Sequence, residues 1–265
     1  MMTPMEEYYN KFNEDKRLNS RHGHIEFVIS MKYIHEYLDR IMEERGLEKK
    51  AVKILDLGAG TGRYAIPLYE EGYDVTAVEP VRHSLGVMKK NCPGLNAFQG
   101  NAKKLRRLAS DTFDLTICFG PMYHLVTKED RVKALLEAKR VTKPGGIIMI
   151  AYIMNEYSVV TYAFKEKHVL DCLLDGRLSD DWHSTPVGED FYYYARTEDI
   201  EELNQEAGLT RLKIFSPDGP ANYMRPFLNA LSDKEYEAFI AYQMSVCERA
   251  DLLGAAVHTV DVVTL

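Results

Sequence analysis

The densest chemistry in this chain lies in Ile54-Leu-Asp-Leu-Gly-Ala-Gly-Thr-Gly62. Glycines at 58, 60 and 62 let a backbone turn sharply and approach a bound molecule, where a Cβ would collide or forbid the required φ. Asp56 adds a carboxylate at the end of the preceding apolar run. The plainer reading of such a loop is a tight turn between a strand and a helix. A second cluster is Gly120-Pro-Met-Tyr123-His124. His124 is the side-chain type best suited to take a proton near neutral pH, and the Tyr123 hydroxyl can orient a ligand. Both can equally line a cavity without taking part in chemistry. The third is Arg17-Leu-Asn-Ser-Arg-His-Gly-His-Ile-Glu26, unusually polar for the entry to a helix. Its plainer reading is a solvated arm.

A regular alternation of elements carries these residues. Apolar residues from Ile25 to Met42 recur at helical spacing, and Gly46 ends that helix. A β-rich run at 52–57 precedes the glycines, and a helix over 63–71 follows them to Gly72. Strand 75–78, helix 83–91, strand 96–99, strand 113–119 and amphipathic helix 128–141 come next. Lys143-Pro-Gly-Gly146 breaks that helix before a fifth strand at 147–153. Strand and helix in this rhythm predict a parallel sheet covered on both faces, and right-handed crossovers make it doubly wound.

After residue 153 the rhythm is interrupted. A helix is expected over 157–174, an aromatic strand over 191–196, and a helix over 200–207 entered through Thr197-Glu-Asp199 and ended by Gly208. A sixth strand at 209–215, a helical insert at 222–253 and a last strand at 256–263 complete the pattern. The expectation is one α/β domain. It has an N-terminal lid and helix at 1–46, a core at 50–153, and cap insertions at 154–196 and 219–254 that can lie over the carboxyl ends of the strands.

With these elements in place, the chain resembles the class I S-adenosylmethionine-dependent methyltransferases of the small-molecule, bacterial-like type. Four landmarks of that family occur in order over roughly residues 50–153: the glycine loop; Glu79 in Val-Thr-Ala-Val-Glu-Pro; Gln-Gly-Asn101-Ala, where the family commonly has Asp; and Phe113-Asp-Leu-Thr-Ile-Cys-Phe-Gly-Pro-Met-Tyr-His-Leu125. The Lys-Pro-Gly-Gly turn is another habit of the family. The resemblance implies a Rossmann-like, seven-stranded, mostly parallel sheet with its last strand antiparallel. It implies S-adenosyl-L-methionine as cofactor, with contacts from Asp56, Gly58, Ala59, Gly60, Thr61, Gly62, Glu79, Pro80, Asn101, Ala102, Phe119 and Gly120. Glu79 would accept both ribose hydroxyls. Asn101 would accept from the adenine amino group or donate to a ring nitrogen. By the same analogy Arg21, His22, Tyr8 or Tyr9 would reach over the cofactor carboxylate or the acceptor, and Tyr123 and His124 would sit where methyl and acceptor meet. A nicotinamide-binding fold fits less well, because it wants G-x-G-x-x-G and this loop is G-x-G-x-G.

Composition narrows the acceptor. The balance of 33 Lys+Arg against 40 Asp+Glu gives a net charge of −7, opposite in sign to proteins that track a phosphate backbone. The basic cluster Lys103, Lys104, Arg106 and Arg107 reads as a solvated helix face before a nucleic-acid patch. Enzymes acting on base amino groups typically carry Asn/Asp-Pro-Pro-Tyr where this chain has Gly120-Pro-Met-Tyr123. Aromatic residues crowd the late insertions: Tyr157, Tyr162, Phe164, Trp182 and Phe191-Tyr-Tyr-Tyr194. Alternation would place Tyr192 and Tyr194 on one side, able to close over a small apolar or aromatic acceptor, although packing of the cap onto the sheet explains such residues too. Cys92, Cys118, Cys172 and Cys247 are far apart, as expected of reduced thiols with no metal site. The polar, acidic N-terminus is unlike a signal peptide, and the longest apolar run is too short to span a bilayer, so a cytoplasmic protein without a membrane partner is expected. The expected function is methyl transfer to a small molecule. Methylation of RNA or protein, and cofactor binding without catalysis, are the alternatives.

Overall fold

The computed structural model describes residues 20–188 and 190–265. The expectations placed on Tyr8, Tyr9 and the segment before Ser20 lie outside the described residues. Helix α1 (Arg21–Arg45) opens where the Ser20 side chain accepts from the Gly23 N–H, and closes at Gly46 in the left-handed region, φ 63°. Its buried stripe, Ile25, Ile29, Ile34, Leu38 and Ile41, follows the helical period and packs on one face of the sheet. Each such side chain contributes roughly 1.5–3 kcal/mol on burial.

The sheet has seven strands in the order β3-β2-β1-β4-β5-β7-β6. They are β1 (Lys53–Leu57), β2 (Asp74–Glu79), β3 (Asn96–Gln99), β4 (Phe113–Cys118), β5 (Thr142–Ile153), β6 (Thr210–Phe215) and β7 (His258–Thr264). The pairs among β1 to β5 are parallel, whereas β7 runs antiparallel to both β5 and β6. This is the Rossmann-like sheet with its last strand reversed. All six residues of β4 are buried because both faces are covered. Helices α2 (Ala65–Glu70) and α3 (Arg82–Asn91) lie with α1 on one face. The short α4 (Pro121–His124), α5 (Lys128–Val141) and α8 (Thr197–Ala207) contribute to the other. The chain leaves β1 toward β2 and β3, then returns to β4 on β1's other side. The crevice at that reversal, beyond the carboxyl ends of the strands, is where such sheets hold ligands.

Three elements differ from expectation. Residues 191–196 form no strand: the segment makes a single bridge, Ala195 with Met154, and Tyr193 donates its N–H to the Tyr123 carbonyl instead. The segment meets the sheet only at the end of β5, where Ala195 donates to the Ile153 carbonyl and accepts from the Asn155 N–H on the edge opposite β7. The helix expected over 157–174 is broken into α6 (Asn155–Ser158), a π-helical turn (Val159–Lys165) and α7 (Val169–Leu174), with Lys167 at φ 66° between them. The insert at 222–253 divides into α9 (Arg225–Ala230), α10 (Asp233–Val246) and α11 (Ala250–Leu253). Ser232 starts α10, accepting from the Glu235 N–H while the Glu235 carboxylate accepts from Ser232.

The end of the sheet away from the crevice is closed by one carboxylate. Asp114 is fully buried and meets Arg45 at 2.7 Å, Lys143 at 2.8 Å and the Lys53 N–H at 2.9 Å, so it ties α1, β1, β4 and β5 together. No described helix is long and apolar enough to cross a membrane.

Candidate active site

The glycine loop turns as its residue types require. Gly58 has φ 79°, and a Cβ there would stand 2.7 Å from the Pro121 ring. The Gly60 N–H donates at 2.8 Å to one oxygen of Glu79, and the Val81 N–H donates at 2.8 Å to the other. The buried Glu79 carboxylate at the end of β2 is thereby fixed beside the loop. A carboxylate has about four lone-pair positions, so it can accept further donors from a ligand. Asp56 is buried at the end of β1. Burial, with the charge of Glu79 adding to it and the Ala65 N–H opposing, pushes its carboxyl up to about 7. Its Oδ2 has no hydrogen-bond partner among the described residues.

These groups border one cavity of about 960 Å³. Asp56, Gly58, Ala59, Gly60 and Thr61 form one wall, Glu79 and Pro80 a second, Asn101 and Ala102 a third, and Phe119, Gly120, Tyr123 and His124 a fourth. Gly62 is not on the wall. It has φ 96°, and a Cβ there would stand 2.7 Å from Ile66, so its glycine serves the turn into α2. Arg21 does not line the cavity either. Its guanidinium donates to the carbonyls of Leu228 and Leu231 and pairs with Asp233, holding α1 to the second insertion. The Oδ1 of Asn101 accepts from the Lys103 N–H at 2.9 Å, which turns its amide donors outward as the more available group for a ring nitrogen.

The rest of the cavity lining comes from elements far apart in sequence. The insertion after β5 supplies Tyr157, Tyr192 and Tyr194, and the one after β6 supplies Asn222 and Arg225. Tyr193 faces the other way, buried with the Arg131 guanidinium 3.4 Å from its ring centre, so the side-to-side alternation holds without a strand. His124 Nδ1 hydrogen-bonds the Phe191 carbonyl at 3.1 Å and so carries the proton of the neutral ring. Burial lowers the His124 pKa. The rings of Phe191 and Tyr192 pack against it.

Several lining residues were not singled out from sequence: Glu26, Arg63, Tyr64, Arg225 and His258. His258 was the most accessible of them to reasoning. It opens a strand that runs antiparallel to β5, so it must abut the carboxyl end of β5, and it pairs with Ile153 there.

With this geometry established, the chain can be set against known proteins. Residues 54–146 match the family model of a Methyltransferase domain. This window holds the loop, Glu79, Asn101 and the β4 end together. Residues 54–146 thus form a methyltransferase domain, and they carry the landmarks of the class I S-adenosylmethionine-dependent type. Among curated proteins, it is 26% identical over 197 residues to a glycine/sarcosine N-methyltransferase of Aphanothece halophytica, covering 72% of this chain and 64% of that protein. It is 42% identical over 119 residues to a demethylmenaquinone methyltransferase of Streptomyces avermitilis, covering 43% of this chain and 46% of that protein. The chain thus spans less than two thirds of the length of either. A solved methyltransferase of Methanosarcina mazei shares the fold, with a TM-score of 0.56 and 16% identity over 88% of this chain and 96% of that one.

S-adenosylmethionine is the cofactor that a methyltransferase domain of this type implies, and the residues present fit it. The unpartnered Asp56 oxygen offers a buried acceptor for a cationic group. Glu79 is suited to a diol, the Asn101 amide to a purine edge, and Gly58 and Gly60 leave room for close backbone approach.

Proposed function

We propose that the protein transfers the methyl group of S-adenosylmethionine to a small-molecule acceptor. The observation that carries this reading is the second half of the cavity, where Tyr157, Tyr192 and Tyr194 face the same space as the cofactor loop. A volume of about 960 Å³ is at the upper end for one ligand, which suits a cofactor and a small acceptor side by side. Asp56, Gly58 to Thr61, Glu79, Pro80, Asn101, Ala102, Phe119 and Gly120 hold the cofactor in this reading. Methyl transfer is an in-line displacement at a carbon the sulfonium already activates, so alignment and exclusion of water are the main demands on the protein. Two insertions covering the crevice meet both. In this reading Tyr123 orients the acceptor and His124 packs beside it. The acidic net charge and the aromatic wall favour a small acceptor over a polynucleotide, and a cytoplasmic location accords with four buried, unbridged cysteines.

The test supplies methyl-labelled S-adenosylmethionine with three acceptor pools: a small-molecule extract, total RNA and denatured protein. The reading predicts label in the small-molecule pool. Label confined to RNA or protein would contradict it.

A further inference from the structure

An asparagine reads adenine alone when its side-chain oxygen accepts from the exocyclic amine while its NH₂ donates to the ring nitrogen beside it. Asn101 is arranged differently. Its Oδ1 is turned back on its own loop, accepting from the Lys103 N–H at 2.9 Å, and its Nδ2 has no partner among the described residues. The donors are thus the atoms it presents to a purine. With Nδ2 on a ring nitrogen, the neighbouring amine still needs an acceptor.

Four carboxylates among the described residues border the cavity: Glu26, Asp56, Glu79 and Asp130. Asp56 sits on β1, Glu26 on α1, and Glu79 at the end of β2 is gripped by the Gly60 and Val81 N–H groups. Asp130, in the first turn of α5, is tied directly to the Asn101 loop. Lys103 donates its Nζ to Asp130 Oδ2, so one side chain joins the wall made by Asn101 to α5. Asn101, Lys103 and Asp130 all border the cavity. The other oxygen, Asp130 Oδ1, meets the Lys133 ammonium at 3.7 Å, too long for a hydrogen bond. The hydrogen bond from Lys103 holds the Asp130 carboxyl below its ordinary range, which keeps it an ionised, acceptor-only group.

We propose that two side chains from different elements read the adenine: Asn101 Nδ2 donates to a ring nitrogen, and the Asp130 carboxylate accepts from the exocyclic amine. This rests on the cofactor reading above. Asp130 is then the residue that separates adenine from purines carrying oxygen or hydrogen in place of the amine. An oxygen there would face the carboxylate, and the ring N–H that accompanies it would face the Asn101 donors. A hydrogen there would leave the carboxylate without its donor.

Calorimetry on the full chain tests this with two probes: S-adenosylhomocysteine, the demethylated cofactor, and its analogue lacking the 6-amino group. Both are titrated into wild type, Asp130→Ala, Asp130→Asn and Asn101→Ala. A wild type that binds neither probe sinks the cofactor reading itself. The proposal expects wild type to prefer S-adenosylhomocysteine by about 10–100-fold, the range of one hydrogen bond to a charged group. Asp130→Ala should bring the two affinities within about threefold of each other. Asp130→Asn keeps the shape and one neutral acceptor, so it should retain part of the preference, and it serves if the alanine variant does not fold. Asn101→Ala should weaken both probes and leave the preference intact, because both carry the ring nitrogen. Loss of the Lys103 tether alone would weaken both probes alike, so a full preference in both Asp130 variants overturns the proposal. So does a wild type that binds the two probes equally. A preference that vanishes in Asn101→Ala and persists in the Asp130 variants overturns it too, making Asn101 Oδ1 the acceptor of the amine.

Discussion

At the scale of single residues, Asp56 is the most unusual ionisable group on the cavity wall. Its carboxyl sits at about 7 in the folded chain, against roughly 3.9 in an unfolded one. A carboxyl raised on folding supports the folded state while it is protonated. That contribution is whole below about pH 4 and is lost as pH rises through 7. Asp56→Asn, which cannot ionise, should therefore be more stable than wild type at pH 8, by on the order of 4 kcal/mol without ligand, and no more stable at pH 4. It should also bind S-adenosylmethionine more weakly, because the carboxylate that can carry charge opposite a cationic group is gone. Urea melts at the two pH values check the first statement, and parallel stability curves would contradict it. Cys118, beside Asp56 on β4, shows the same burial without function: its thiol is pushed up to about 12, which leaves it unreactive.

At the scale of elements, α5 joins the two halves of the site. Arg131 on α5 donates to the carbonyls of Leu125 and Val126 and lies against the ring of Tyr193. One side chain thus fixes both the segment after β4 and the aromatic run of the first insertion. Arg131→Ala should destabilise the chain by about 2–4 kcal/mol, since two half-buried carbonyls lose a charged donor and a buried ring loses its partner. It should also impair acceptor use more than cofactor binding. Denaturation midpoints and S-adenosylhomocysteine calorimetry would check the two effects. This junction also shows what sequence could convey. The β1 loop, Glu79 and the β4 end were legible because local periodicity places each at a strand terminus, and helix α5 was delimited at 128–141 by its amphipathic pattern. The aromatic run 191–196 was read as a strand because its residue types favour one, whereas its backbone partners, Tyr123 and Ile153, are set by tertiary packing. Arg21 looked available for a ligand, yet its partners at 228, 231 and 233 lie two hundred residues away. The Lys103–Asp130 pair was hidden for the same reason: 27 residues separate its members, and no local spacing joins them.

At the scale of the whole molecule, stability and function occupy opposite ends of the sheet. The Asp114 cluster closes the end where β4 and β5 begin, and the cavity opens where the strands end. Asp114→Ala leaves Arg45 and Lys143 without their buried partner and should cost about 3–5 kcal/mol of stability. At temperatures where the variant stays folded, cofactor affinity should be unchanged. A loss of affinity in the folded variant would show that the two ends are coupled. The account as a whole depends on the cofactor loop holding S-adenosylmethionine, so the most direct measurement is calorimetric titration of the full chain with that cofactor, with NADH as control ligand. The account predicts micromolar binding by wild type, none of NADH, and loss of binding in Gly60→Val and Glu79→Ala. A folded wild-type chain that binds neither S-adenosylmethionine nor S-adenosylhomocysteine would contradict it and reduce the loop to a turn between β1 and α2.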